Sequence, residues 1–504
     1  MTARHFYICS CLLLLIFHAE ARTKEISICS QESFDALSEQ LYANLKVGYE
    51  DIIIRFDAGT YYYEDRHLNL DRLLYPQTRI HFIGQGATLT AAGEDLRNGD
   101  RLTIPIDSGT GVVCDAGDVF LWSDVHFADS KVQVIDSESR LCRVRCKAIR
   151  KEKIGDLSSC YILLTEWYLS KMMKVSKVED GAIYFTADKD LNFLNADVSY
   201  GKMFPRFKLL NTIDAPFYTL DDTVHLSPQI DVVHICRTGR LLSAYDSSFK
   251  SIRFDGFRFI GNRDNIFALM DFTNTHTEDI SITDCEFCGL RSKLIQVAYS
   301  PCFSFTNNNV HDCYRGGIKS IHSAKTRVSG NVFHNVGLAL SNDFSVECGG
   351  EDYLISDNTI SDFGYGGISV GLHFTTPRTG KITGTVKNNE LWYSERYFAD
   401  YPSHTLMDSG AIYTSTQHDR CVIRDNYIHD YIGMKDNRGI FMDDGASNVI
   451  VVYNTILRIP NSWSIDSRLV KEVETMPGSQ VSRANVGNLI LGNRVDGMIR
   501  FEKP

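Results

Sequence analysis

From residue 252 onward the apolar positions recur in one short phrase: an apolar residue, two variable residues, Asn, one variable residue, then an apolar residue. It reads Phe305-Thr-Asn-Asn308-Asn-Val310, Val328-Ser-Gly-Asn331-Val-Phe333 and Ile355-Ser-Asp-Asn358-Thr-Ile360. It returns around Val386, Asn389 and Leu391, around Ile423, Asn426 and Ile428, around Val451, Asn454 and Ile456, and around Ile490, Asn493 and Val495. Successive asparagines are 23 to 39 residues apart, and two earlier copies place Asp255 and Cys285 in the Asn slot. The apolar members are mostly Ile, Val and Phe, which favour short strands over the fixed leucines of a leucine-rich repeat. One Asn at the same place in every turn suits a parallel coil. Stacked Asn amides hydrogen-bond along the axis inside a tight bend, where Asn also tolerates a left-handed backbone.

A further strand follows in several turns, at Gly316-Gly317-Ile318, Gly366-Gly367-Ile368, Gly410-Ala411-Ile412 and Arg438-Gly439-Ile440. The pattern therefore predicts an all-β chain: a right-handed parallel β-helix with an Asn ladder, growing by stacked turns rather than separate globules. Residues 22–99, with Ile52-Ile53-Ile54, Phe56, Ile80 and Phe82 alternating, begin the coil. Residues 100–245 lack the phrase and read as a β-rich inserted region. Residues 246–504 form the main coil, with its active turns at 390–445. The largest insertions in this part fall between Asn389 and Gly410 and between His429 and Gly439, on neighbouring turns. Corner loops are where a solenoid carries function.

Residues 1–21 read differently. Arg4 precedes an apolar run from Phe6 to Phe17, and Ala19-Glu20-Ala21 offers a cleavage site between small residues. That is the pattern of an export signal, and it predicts a secreted or periplasmic protein with no membrane insertion after cleavage. The net charge of −11 argues against nucleic-acid binding. Of 14 cysteines, 12 follow the signal, and buried core thiols are expected ahead of disulfides. The pairs Cys142/Cys146 and Cys285/Cys288 lack the partners of a zinc site.

Candidate chemistry gathers at the two insertions. If Ile412 and Ile440 stack inward, alternation sends Tyr413, Phe441 and Asp443 outward. Asp444 sits at the bend, and Asp408 lies on the loop leading to Ile412. Two carboxyl groups from adjacent turns could thus flank one groove, as glycoside cleavage requires. Asp-Asp-Gly and Asp-Ser-Gly are also ordinary turn chemistry, and such a pair suits structural calcium; no other cofactor or metal is expected. Tyr413, Phe441, Trp392 and Tyr393 could stack on a sugar ring. His373, His404, His429, Arg396 and Arg438 could bond its hydroxyls or carboxylates. His311-Asp312, His334 and His429-Asp430 recur just after the Asn phrase, which points to a turn feature rather than a metal site.

The run Asp408-Ser-Gly-Ala-Ile-Tyr413, then Ile423-Arg-Asp-Asn426-Tyr-Ile428-His429-Asp430, then Gly439-Ile-Phe-Met-Asp443-Asp444-Gly445 resembles the β-helical glycoside hydrolases that include α-L-fucosidases and xylanases. Phe207 to Asn211, Ala215-Pro216, Leu220-Asp221, Pro228 and Ile252 to Phe257 resemble that group more loosely. The resemblance implies that Asp408 and one of Asp443 or Asp444 form the catalytic pair, acting on a complex polysaccharide or oligosaccharide. The chain departs from the group's pattern at Phe441, where the group has Tyr, and at Ala215-Pro-Phe-Tyr-Thr-Leu-Asp221, where it has Pro-Gly-Glu-Trp-Tyr-Leu-Asp. Two rival readings stand beside it. One is a polysaccharide lyase using Lys319 or Lys325 as base; the other is a glycan-binding β-helix protein without catalysis.

Overall fold

The computed structural model describes residues 22–101, 111–114, 125–127, 132–145, 151, 161–166, 169–186, 206–210, 217–220, 223–226, 231–263, 268–337, 343–372, 380–394, 410–430, 438–443, 445–459, 463–467 and 487–501. Three long parallel sheets run along one axis: sheet I has 12 strands, and sheets II and III have 11 each. Each turn visits them in order, as in Cys302–Thr306 (I), Asn309–Cys313 (II) and Ile318–Ile321 (III). The repeat is thus a parallel β-helix with three strands per turn.

The Asn slot is the corner between sheets I and II. The backbone N–H of Asn331 donates to Oδ1 of Asn358 at 3.0 Å, and Nδ2 of Asn331 donates to the same oxygen at 2.9 Å and to the Phe305 carbonyl at 2.9 Å. The same contacts link Asn308, Asn331, Asn358, Asn389, Asn426, Asn454 and Asn493 in series. All but the last are buried. Burial away from water is tolerated because both ends of every amide are satisfied, each bond contributing about 1 kcal/mol net.

Two expectations about this corner need correction. The ladder asparagines are not left-handed; the residue before each one is, as at Asn307 (φ 58°), Asp357 (φ 59°), Asn388 (φ 55°) and Asp425 (φ 56°). A left-handed residue turns the chain, and the next amide is then free to align with the axis. The second correction concerns Asp255. Sheet I pairs Phe254 with Ile282 and Asp255 with Thr283, so Phe257 occupies the slot that Cys285 fills one turn later. Cys285 does belong to the ladder, its N–H donating to Asn308 Oδ1 at 2.8 Å. Phe257 is apolar and instead packs edge-on against Phe56 at 5.1 Å.

Inside the coil, like stacks on like. Ile295, Ile318, Val346, Ile368, Ile412, Ile440 and Ile465 form one buried column on sheet III. Phe259 stacks on Phe287 at 4.7 Å and Phe82 on Phe254 at 4.4 Å, close to the spacing between hydrogen-bonded strands. Gly367 and Gly439, each second in a sheet III strand, are glycine because a Cβ would fall 2.5 Å from Leu391 Cδ2 and 2.6 Å from the Ser464 carbonyl, respectively. Close approach inside the coil, rather than corner sharpness, fixes these glycines. One end of the coil is closed by helices at Gln31–Asp35 and Leu37–Val47, elements the repeat does not predict. Ser30 and Ser33 form a capping box, and Phe34, Leu37, Leu41 and Leu45 are buried in the core.

The coil is interrupted once at length. Thr90 pairs with Ile260 on sheet II, and Asn69 with Ser243 on sheet III, so the residues between Thr90 and Leu242 leave the coil between two strands of one turn. Their strands form antiparallel sheets of seven, three and two strands. The strands that flank the two candidate insertions, Glu390–Trp392 and Gly410–Thr414, then Tyr427–His429 and Arg438–Met442, likewise belong to sheets II and III. Among the described residues nine cysteines carry free thiols, and seven of them are buried, as a core role predicts.

Candidate functional site

Sheet III carries an outward row set by strand register. Gln296, Lys319, Glu347, Ser369, Tyr413, Phe441, Asp466 and Arg500 follow one another along the axis. Ile412 and Ile440 pair inward as expected, and Tyr413 pairs with Phe441. Two positions beyond Phe441, Asp443 leaves the strand on the same side. Its N–H donates to the Thr414 carbonyl at 2.9 Å, which fixes its backbone to the previous turn. The Tyr413 hydroxyl donates to Asp443 Oδ2 at 3.2 Å.

The aromatic residues here form a packed cluster rather than an open platform. Phe344, Tyr365, Tyr413 and Phe441 are all buried. Phe441 meets Tyr413 edge-on at 5.6 Å, and the Arg438 guanidinium lies 4.2 Å from the Phe441 ring centre. The expectation that Tyr413 and Phe441 present open faces for a sugar to stack on therefore gives way. Both are covered, and what Tyr413 offers is its hydroxyl. Asp443, at 9% exposure, is at the edge of burial.

Arg438 is held by a residue the sequence reading did not single out. Its Nε donates to Oδ2 of Asp466 at 3.0 Å, and Arg500 Nε donates to Oδ1 at 2.7 Å. Asp466 has no exposed surface. A buried carboxylate needs such partners, since an uncompensated one would cost several kcal/mol. The signal in the sequence is the register: Ile465 stacked on Ile440 places Asp466 beside Phe441. That alignment is hard to read because Ile440 lies 14 residues after Asn426 while Ile465 lies only 11 after Asn454.

Trp392 and His429 lie elsewhere, paired on the outward face of sheet II. Both nitrogens of His429 have partners, Nδ1 at 2.5 Å from Asp430 Oδ2 and Nε2 at 3.3 Å from Glu390 Oε1. Its ring is stacked between Trp392 at 5.6 Å and Tyr427 at 4.2 Å. Arg458 bonds Asp430 through two nitrogens and holds its carboxyl down at about 2. Tyr393 is buried against Phe363. The structure thus gathers Tyr413, Arg438, Phe441 and Asp443 on sheet III and sets Trp392 and His429 on sheet II. Asp408, Asp444, His373, Arg396 and His404 lie outside the described residues, as does the export signal at 1–21. Among the described residues no helix is long and apolar enough to cross a membrane.

Upstream on the sheet III row, Lys319 Nζ lies 2.8 Å from Glu347 Oε1. Lys293 and Arg315 join the same network through Asp343 at 3.7 Å and 2.8 Å. Lys319 is therefore an ion-paired residue. Lys325 opens the next sheet I strand, on a different sheet from Asp443.

Comparison with known proteins agrees with the architecture. The family described as right handed beta helix region matches residues 293–468. No curated protein matches the sequence. A solved structure named "Glycoside hydrolase" aligns with 94% of this chain and 96% of its own, at 13% identity and a TM-score of 0.55. The Gp54 tailspike of Acinetobacter baumannii bacteriophage AP22, solved in complex with A. baumannii capsular saccharide, aligns at 9% identity over 85% of this chain and 69% of its own, with a TM-score of 0.17. In its fold, the chain is a right-handed parallel β-helix with an asparagine ladder.

Proposed function

We propose that the protein is an exported carbohydrate-active enzyme, a glycoside hydrolase that cleaves a polysaccharide or oligosaccharide at the outward face of sheet III. One observation carries this reading: Asp443 stands on that face at the end of the strand 438–442, receiving the Tyr413 hydroxyl from the preceding turn. A carboxylate that accepts this bond suits the role of nucleophile or base. Asp408, which precedes the neighbouring strand 410–414, would then be the acid that protonates the leaving oxygen, and Asp444 is the alternative partner. Arg438, held by Asp466, lines the same strand and orients what binds there. A solved protein of this fold bears the name glycoside hydrolase; in this chain the support comes from the carboxyl and its hydroxyl partner. The lyase reading is weakened by the Lys319–Glu347 ion pair, which engages the amine of the candidate base.

The test is an assay of the purified protein on a panel of glycans, following reducing ends and ultraviolet absorbance together. New reducing ends without unsaturated product, lost in Asp443→Ala and Asp408→Ala, would support the proposal. An unsaturated uronate product would replace it with a lyase. Binding without turnover, unchanged in both variants, would leave a glycan-binding protein.

A further inference from the structure

A second constellation lies on sheet II, several turns from Asp443. Alternation puts Glu286 and Cys288 on the outward side of one strand, and register sets His311 beside Cys288 on the next. One carboxylate oxygen, the thiol sulfur and one imidazole nitrogen all lie within 4.8 Å of one another, the only such group of three or more potential ligands among the described residues. Cys288 is 2% exposed. Glu286 Oε1 lies 3.3 Å from His311 Nε2, and Arg258 holds both oxygens, its Nε donating to Oε2 at 2.7 Å and its Nη2 to Oε1 at 3.2 Å.

The imidazole is oriented from behind. His311 Nδ1 lies 2.8 Å from Asp312 Oδ2, and Asn335 Nδ2 donates to Asp312 Oδ1 at 2.9 Å. A ring whose Nδ1–H is held by a carboxylate turns the Nε2 lone pair forward, which is how ligating histidines are commonly presented to a metal.

The chain contains its own comparison. Glu390, His429 and Asp430 repeat the arrangement, with contacts of 3.3 and 2.5 Å to the two ring nitrogens. There Trp392 stands at the register position that Cys288 has in the first copy. The Glu-His-Asp chain is thus a feature of the corner, as its recurrence in the sequence indicates, and the thiol is particular to the first copy. Cys285 is not part of the set, because its thiol turns into the ladder corner and donates to the Thr283 carbonyl at 3.2 Å.

We propose that Glu286, Cys288 and His311 bind one zinc-class divalent cation, with water completing a tetrahedron. Sulfur, imidazole and carboxylate together favour zinc over magnesium or calcium, which take oxygen ligands. Coordination releases the thiol proton and the Nε2 proton to solvent and replaces the contacts that Nε2 and Arg258 Nη2 make with Glu286 Oε1, while Arg258 Nε remains on Oε2. The ion would clasp the strands 286–290 and 309–313, beside the strand 111–114 of the inserted region. The site is separate from Asp443, and its occupancy does not depend on the glycosidase reading.

The experiment is a zinc titration of the purified protein against a chromophoric chelator, with native mass spectrometry for stoichiometry. Cadmium serves as a second probe, because a thiolate ligand gives a charge-transfer band. One equivalent is expected, with affinity more than about a hundredfold weaker in Cys288→Ser and His311→Gln and about tenfold weaker in Asp312→Asn. His429→Gln should bind as the wild type does. Absence of stoichiometric zinc in the wild type, or zinc held equally by Cys288→Ser, overturns the proposal. If a variant fails to fold, the cadmium band of the wild type decides: its absence excludes Cys288 as a ligand.

Discussion

The Tyr413 hydroxyl and Asp443 Oδ2, 30 positions apart in sequence, meet at 3.2 Å. The coil makes them neighbours by stacking the strand 410–414 against 438–442. A hydroxyl from one turn thereby holds a carboxylate from the next, and both turns must be in register for the site to exist.

Tyr413→Phe removes that hydroxyl and leaves the ring contacts with Phe344 and Phe441 in place. Stability should fall by only about 1 kcal/mol. Turnover on a substrate found in the glycan panel should fall by roughly tenfold or more. Steady-state kinetics beside a thermal melt would check both. Unchanged kcat would remove Tyr413 from the site.

Asn358→Ala should be among the more costly single substitutions on the coil. It leaves the Asn331 N–H and Nδ2 without the Oδ1 they share, and the Val328 carbonyl without its donor. A buried unsatisfied group costs about 1–3 kcal/mol, so a loss of about 3 kcal/mol or more is expected in urea denaturation. Asn358→Asp should not rescue it, because a carboxylate cannot donate to Asn389 Oδ1 and Val328 O.

Asp430 predicts a pH effect with a definite sign. Arg458 first, and then His429, lower its pKa from 3.8 to about 2 in the folded protein. The stabilisation it contributes is complete above the unfolded value of 3.8 and is lost as pH falls from there through about 2. Arg458→Met should flatten this part of the profile of melting temperature against pH. An identical acid slope in the variant would refute the assignment.

Asp466→Ala strips two arginines of a buried partner and should destabilise the protein by about 3–5 kcal/mol. Arg500→Met should cost less, since Arg438 still neutralises Asp466. Activity should fall further in Asp466→Asn than its stability loss accounts for, if Arg438 is held for binding. Comparing KM with kcat at a temperature where both proteins are folded would separate the two effects.

Buried thiols make a simpler prediction. Burial pushes the Cys285 and Cys421 thiols up to about 12 and raises that of Cys348 as well. Alkylation of the native protein, mapped by mass spectrometry, should label exposed Cys29 and spare these three until denaturant is added.

The period of the chain by itself determined the coil, the ladder and the inward column through Ile412 and Ile440, because stacked turns repeat the same demands at every step. A buried corner amide needs an identical amide above and below it, so the requirement is written into the sequence seven times, from Asn308 to Asn493. Tertiary structure decided what does not repeat. Asp466 joins the Tyr413 row only because Ile465 stacks on Ile440, and Trp392 and His429 part from that row because the strands before and after an insertion belong to different sheets. Register likewise moved the first ladder slot from Asp255 to Phe257. A periodic signal fixes which residues face in, but the sheet and neighbours of an outward residue depend on pairings across insertions of unequal length.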